Sequence, residues 1–204
     1  MMLSDLHIGS TVGLWPDKFT SNEGMQLGQN KFQAWLWKCW LDMLKWSEVV
    51  IDGQPFELVL NGDLVEGIHH RTLQVVSPDV GDQTAAVMDV LSPLVGRSTR
   101  THVIKGTEAH TRNDEVRLGR ALDASVDPVT GQHAWDTLDL EVNGCLFNFA
   151  HHISATVRSY LEASAHSIGL GALTHSRARA GKPVPKVMCR AHRHRHGKIG
   201  RAHV

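Results

Sequence analysis

A short apolar run that ends on Asn-Gly-Asp restricts the fold of this chain more than any other stretch. Residues 58–60 have the length and composition of a buried strand, and the segment 61–63 ends it abruptly. A glycine before the aspartate lets the backbone turn sharply where a side chain would collide. The strand therefore delivers the carboxylate of Asp63 into the loop at its carboxyl end, where it can bridge two cations.

Four further segments place histidine, aspartate or other polar residues beside apolar stretches. They are Asp5-Leu6-His7, Gly106-Thr107-Glu108-Ala109-His110, His151-His152 and His192-Arg193-His194. The predicted strands alternate with helices, and a sheet connected in this way brings its strand ends to one edge. The five loops are therefore expected to converge.

Apolar periodicity predicts four helices, over residues 29–50, 82–95, 113–124 and 157–174. The first has a stripe formed by Phe32, Trp35, Leu36, Cys39, Trp40, Met43, Leu44 and Val50, from which Trp37 and Trp46 are excluded. Segments of alternating apolar and polar residues on either side of Asn143-Gly144 predict a β-hairpin. Residues 186–191 are predicted to form a last strand. The pattern indicates an α/β fold.

Composition favours one domain over residues 1–204, since 42% apolar content suffices for a single sizeable core. Lys plus Arg and Asp plus Glu balance at 21 each, which excludes the global basic field of a dedicated nucleic-acid binder. Three cysteines without CxxC spacing suit reduced thiols and a cytoplasmic location. No leader or membrane-spanning run is apparent, so we expect a soluble protein with no membrane partner.

Histidine is over-represented, with 14 residues, and its clustering favours metal binding. Asp5 and His7 are two residues apart, so in an extended segment their side chains point the same way. The candidate ligands are Asp5, His7, Asp63, His151, His192 and His194, with a contribution from Thr107, Glu108 or His110. They suffice for two divalent ions, and mixed imidazole and carboxylate ligands suit Zn, Mn or Fe.

In order and spacing, this series of five motifs resembles the calcineurin-like metallophosphoesterases over essentially the whole chain. The resemblance implies a β-sandwich flanked by helices, with the metal sites at the strand ends. It assigns one ion to Asp5, His7, Asp63 and His194. It assigns the other to Asp63, His151 and His192, with His151 preferred to its neighbour His152.

The activity implied is hydrolysis of a phosphoester, with a phosphodiester favoured, by a metal-bound hydroxide. The Asp-Arg-Gly of the family's protein Ser/Thr phosphatases is missing after Asp63, and Gly-Asp-Leu is closer to its DNA-processing nucleases, although Glu66 stands where those have histidine. A nuclease is therefore one alternative. Its phosphate-contacting patch would comprise Arg190, Arg193, Arg195, Lys198 and Arg201. The other is a metal-binding, non-catalytic scaffold or nucleic-acid-docking protein.

Several positions depart from the family pattern. The usual third motif is Gly-Asn-His, but Thr107 stands at the metal-binding asparagine and Glu108 at the histidine that protonates the leaving group. His110, two residues later, is the candidate replacement for that proton donor. The final motif also admits a second pairing, His194 with His196. Strands expected before Asp5 and after the last motif are short or missing, which suggests a domain clipped at both ends.

Overall fold

The computed structural model of the protein describes residues 1–69, 72–108, 114–153 and 162–194. Within these ranges the helices are α1 (Lys31–Ile51), α2 (Val80–Val95), α3 (Asp114–Ala121) and α4 (Glu162–Arg179). The strands are β1 (Met2–Leu3), β2 (Glu57–Asn61), β3 (Arg100–Ile104), β4 (Leu138–Val142), β5 (Cys145–Phe149) and β6 (Val187–Cys189). The predicted mixed α/β class is confirmed.

The strands form two sheets of three. In the first, β1, β2 and β3 lie side by side in that order and all run parallel. In the second, β5 lies between β4, to which it is antiparallel, and β6, to which it is parallel. Parallel strands end at the same edge of a sheet, so the loops after β1, β2 and β3 leave from one side.

The middle strand β2 has both faces covered, which explains its unbroken apolar run. Leu58 and Leu60 belong to the larger core cluster, which also contains the buried face of α2. Val59 points the other way and packs with Ile104 of β3 and Phe149 of β5 in a second cluster. Apolar residues of both sheets therefore share this smaller core.

Helix α1 buries part of the predicted stripe: Trp40 is buried and Leu36, Met43 and Leu44 pack against the larger core, whereas Phe32 and Trp35 are exposed. Asn30 and Gln33 form a capping box at its start, and the fully buried positions are Gln33, Trp40 and Ser47. The Gln33 side-chain amide donates to the carbonyl of Ser10 at 2.9 Å, so a polar residue occupies the core face. Trp35, which the predicted stripe placed inside, is 57% exposed.

The hairpin prediction is confirmed, since Val142 pairs with Cys145 and Asn143 and Gly144 both have positive φ. The predicted end of the last helix was wrong: α4 continues past both internal glycines to Arg179. Arg177 in its last turn forms a 2.6 Å ion pair with Asp139 of β4, which anchors this end. Among the described helices, none combines the length and apolarity needed to span a membrane.

Candidate metal centre

Backbone hydrogen bonds attach the loop after β1 to the loop after β2. The N–H of Asp5 donates to the carbonyl of Gly62 at 3.0 Å, and the N–H of His7 donates to that of Asp63 at 3.0 Å. The parallel pairing of the two strands thus continues into their loops. These backbone hydrogen bonds alone place Asp5 and His7 beside Asp63.

The second sheet contributes its residues to the same place. The N–H of Ala191, after β6, donates to the carbonyl of His151, after β5, at 2.9 Å. The next N–H, of His192, donates to the carboxylate of Asp5 at 3.1 Å. The two sheets therefore meet at this edge, and the loops after β1, β2, β5 and β6 come together as expected.

Asp63 and His151 form the buried floor of the site, each only 1% exposed. Nδ1 of His151 lies 2.8 Å from the carbonyl oxygen of Asn61, and Nε2 lies 2.9 Å from Oδ2 of Asp63. A carbonyl oxygen only accepts, so Nδ1 carries a hydrogen. The lone pair of Nε2 then faces a carboxylate oxygen, and this contact is favourable only with a proton or a metal cation between the two atoms.

The electrostatics of this pair follow from its burial and hydrogen bonds. Burial alone would raise the pKa of Asp63, but hydrogen bonds from His151 and Thr107 outweigh it and hold the pKa well below its usual range. Burial likewise opposes protonation of His151, yet its bonds to Asp63 and Asn61 raise its pKa. Asp63 and His151 therefore stabilise each other as an ion pair, in which a metal cation could take the place of the proton on Nε2 of His151.

His7 and His194 face each other above this floor. Nε2 of His7 lies 3.1 Å from Nε2 of His194, which is 3.3 Å from a carboxylate oxygen of Asp5. Two ring nitrogens at this distance need a hydrogen or a shared cation between them. Nδ1 of His7 contacts Glu66 at 2.8 Å, and the same carboxylate contacts His69 at 2.8 Å. Glu66 thus orients His7, as outer carboxylates orient metal-bound histidines.

Among the residues that the structure describes, three groups of side chains lie close enough to hold an ion, each with one donor atom per residue and all atoms within 4.8 Å of one another. The groups are Asp5, His7 and His194; Asp5, Asp63 and His151; and His151, His152 and His192. All six predicted ligands belong to at least one group. The residues present therefore fit a divalent metal ion.

Thr107 lies among these ligands rather than at the edge of the site. Its N–H donates to Oδ1 of Asp63 at 2.6 Å and its hydroxyl to Oδ2 at 3.0 Å. The same hydroxyl oxygen is 3.0 Å from Nδ1 of His192 and 3.5 Å from Nε2 of His151. Thr107 therefore occupies the ligand shell at the position where the resemblance leads one to expect asparagine.

Five of the predicted ligands have backbone conformations that side chains rarely adopt. Positive φ angles, between 43° and 76°, occur at Asp5, His7, Asp63, His192 and His194. Single residues held in the left-handed region cost of order 1–3 kcal/mol each and cluster at functional sites. The fold imposes this strain through the loop hydrogen bonds described above.

The remaining candidate residues are Glu108, His110, His196 and those of the predicted phosphate-contacting patch. Glu108 is exposed and belongs to none of the three groups found among the described residues. His110 and His196 fall outside those residues, as do Arg195, Lys198 and Arg201 of the predicted phosphate-contacting patch. The guanidinium of Arg190, another member of that patch, donates to the backbone and side chain of Asn148. Burial lowers its pKa.

Glu115, in the first turn of α3, is a buried support for the site. It is 1% exposed, and its carboxylate accepts hydrogen bonds from the N–H groups of Leu64 and Gly106, one residue beyond Asp63 and one before Thr107. Burial raises its pKa from 4.5 to about 7. The sequence indicated this role only through the position of Glu115, in the first turn of the helix that follows the third motif.

This raised pKa predicts a specific pH dependence of stability. The folded metal-free protein retains a proton on Glu115 that the unfolded chain releases above pH 4.5, so the free energy of unfolding falls as pH rises to about 7. Relative to Glu115→Gln, the wild-type protein should lose about 3 kcal/mol between pH 4.5 and 7. Urea denaturation at both pH values measures this, with exposed Glu23→Gln as control. Parallel pH profiles for wild type and Glu115→Gln would contradict it.

An open groove of about 660 Å³ leads to the metal-site residues. Asp5, His7, Asp63, His192 and His194 line one part of it. The remaining wall is largely apolar and includes Val12, Leu14, Phe32, Leu36, Trp40 and Met43. A molecule bound in the groove can therefore place a charged group on the metal-site residues and an apolar group against α1.

Comparisons with known proteins assign neither a family nor a function to the chain. No protein-family model matches the sequence, and no curated protein matches it. The arguments for function consequently rest on the residues and geometry of the site.

Proposed function

We propose that this chain is a dinuclear, metal-dependent phosphoesterase of the calcineurin-like superfamily, with a phosphodiester as the favoured substrate. Under this proposal its two sheets correspond to the β-sandwich of that superfamily. The observation that carries the proposal is that loops from both sheets bring six ligands together with Asp63 between two histidine groups. A carboxylate shared in this way is the usual feature of two-metal hydrolytic sites.

Each residue has a distinct part in the proposed reaction. Asp5, His7, Asp63 and His194 would hold one ion, and Asp63, His151 and His192 the other. Two such ions, when bound, supply a water of lowered pKa and neutralise charge on the phosphoryl group. Asn61 and Glu66 orient His151 and His7. His110 remains the proposed donor of the proton to the leaving group.

The shape of the site supports an ester substrate. The groove is open at the metal-site residues, and His192 and His194 form an exposed rim, with side chains 39% and 56% exposed. The floor of Asp63 and His151 is almost fully buried. A phosphoryl group can reach the rim from solvent while the apolar wall contacts one of its substituents.

Metal removal and reloading test the proposal. Protein stripped with a chelator and reloaded with Mn or Zn should hydrolyse bis-p-nitrophenyl phosphate faster than p-nitrophenyl phosphate. The stripped protein should be inactive towards both, and inductively coupled plasma mass spectrometry should find two ions per chain after reloading. Absence of turnover with two ions bound would overturn the proposal.

One alternative has specific support. Thr107 and Glu108 replace the family's asparagine and histidine, which favours a metal-binding protein without catalysis. Two bound ions without hydrolysis of either ester would select that alternative. The nuclease alternative has less support, since Arg190 is bound to Asn148 instead of facing a substrate.

A further inference from the structure

The third histidine group contains a residue that the resemblance does not assign. His151, His152 and His192 each offer a ring nitrogen, and the three nitrogens lie within 4.8 Å of one another. The ring centroids are 5.1 Å apart for His151 and His152, and 5.0 Å apart for His152 and His192. Both pairs are edge-to-face, so the rings converge on one volume instead of stacking.

The second metal position lacks one of the ligands that the resemblance implies. Asp63, His151 and His192 provide three donors, and the further donor would be the asparagine of the third motif. Thr107 stands where asparagine would complete the set, and its hydroxyl already donates to Asp63. A neutral hydroxyl whose hydrogen is already donated to a carboxylate binds a metal ion more weakly than an imidazole nitrogen does.

We propose that His152 is a metal ligand of the second position, where it completes a set of three imidazoles and the carboxylate of Asp63. His152 is exposed, so its ring can turn towards an ion without disturbing the core. It follows His151 directly, and the carbonyl of His151 is held by the N–H of Ala191 at 2.9 Å. That bond fixes the backbone from which the His152 side chain projects.

The ligand sets of the two positions then differ in chemistry. The first has two imidazoles and two carboxylates, from His7, His194, Asp5 and Asp63. The second has three imidazoles and one carboxylate. Imidazole favours zinc, whereas carboxylate favours manganese, so the second position should select zinc more strongly than the first. This inference rests on the proposed dinuclear centre but not on any hydrolysis by it.

Zinc binding to the full chain tests the inference directly. Titration against a chromophoric chelator should resolve two zinc ions in the wild-type protein, one of which binds at least 10–100-fold more weakly to His152→Ala. His175→Ala, in an exposed histidine of α4 outside the three groups, is the control and should bind both ions normally. Wild-type affinity for both ions in His152→Ala would overturn the inference.

A second measurement reports on His152 itself. In ¹⁵N-labelled protein, the ring nitrogens of His152 should shift on addition of the first equivalent of zinc, because the position with three imidazoles takes zinc more strongly, whereas those of His175 should not shift. An unshifted His152 ring at two equivalents would overturn the inference even if the affinity falls. A wild-type protein that binds fewer than two zinc ions would overturn both the dinuclear centre and the role of His152. Two ions bound through His152 without turnover would contradict only the hydrolytic function.

Discussion

Under the proposed function, Asp63→Asn should reduce phosphodiester hydrolysis by roughly 10²–10³-fold and release one of the two metal ions. Asp63 is the residue that lies between the ligand groups, within 2.9 Å of His151 and bonded through both its oxygens to Thr107. Asparagine keeps the size of the side chain but has one oxygen and no charge. It therefore cannot bridge two cations, and hydrolysis depends on both.

The measurement combines steady-state hydrolysis of bis-p-nitrophenyl phosphate with metal analysis of the same samples. Asp17→Asn, a change of the same kind at an exposed position, should leave both quantities unaltered. If Asp63→Asn retained two ions and wild-type turnover, the shared carboxylate would have no part in the reaction. Loss of turnover with both ions retained would assign Asp63 a role in the chemistry without one in metal retention.

Gly62→Ala should destabilise the protein by about 2–5 kcal/mol and displace His151. Gly62 has a φ of 82°, and a Cβ there would lie 2.5 Å from Nδ1 of His151 and 2.8 Å from Cα of Gly106. Neither neighbour can move freely, because Nδ1 of His151 is bonded to Asn61 and Gly106 to Glu115. Backbone strain and overpacking therefore add.

Gly53→Ala separates these two effects. Gly53 has a φ of 69°, but a Cβ there would meet nothing within 4 Å. It should cost only the strain of a left-handed alanine, about 1–2 kcal/mol. Urea denaturation of both variants gives the free energies of unfolding, and zinc titration gives the effect on the site. Equal destabilisation of the two variants would show that the steric clash with His151 contributes nothing to the loss in free energy of unfolding.

The convergence of the loops after β1, β2 and β3 was predictable because it follows from parallel strands, whereas the meeting of the two sheets was not. A buried run that ends on Gly62-Asp63, next to a parallel β1, must place Asp5 and His7 beside that carboxylate, whatever the details of the loops. The hairpin at Asn143 was predictable for a similarly local reason, since the dipeptide fits the turn. In both cases the backbone alone determines the outcome.

The supporting residues were not predictable in this way. Glu66, Glu115 and His152 lie in loops or at a helix start, where side-chain direction follows no period. The buried face of α1 was predicted only in part, because Gln33 enters the core through a hydrogen bond to Ser10. A hydrophobicity pattern assigns glutamine to solvent, so it could not indicate this.

The left-handed backbone of five predicted ligands sets the stability of the metal-free protein against its capacity to bind a metal. At the exposed His192 and His194, glycine would relax the backbone without removing a buried side chain. Screens of this protein for stability alone should therefore enrich variants that have lost these two histidines. Under the proposed function, histidine at these positions serves the ion at a cost to the stability of the fold.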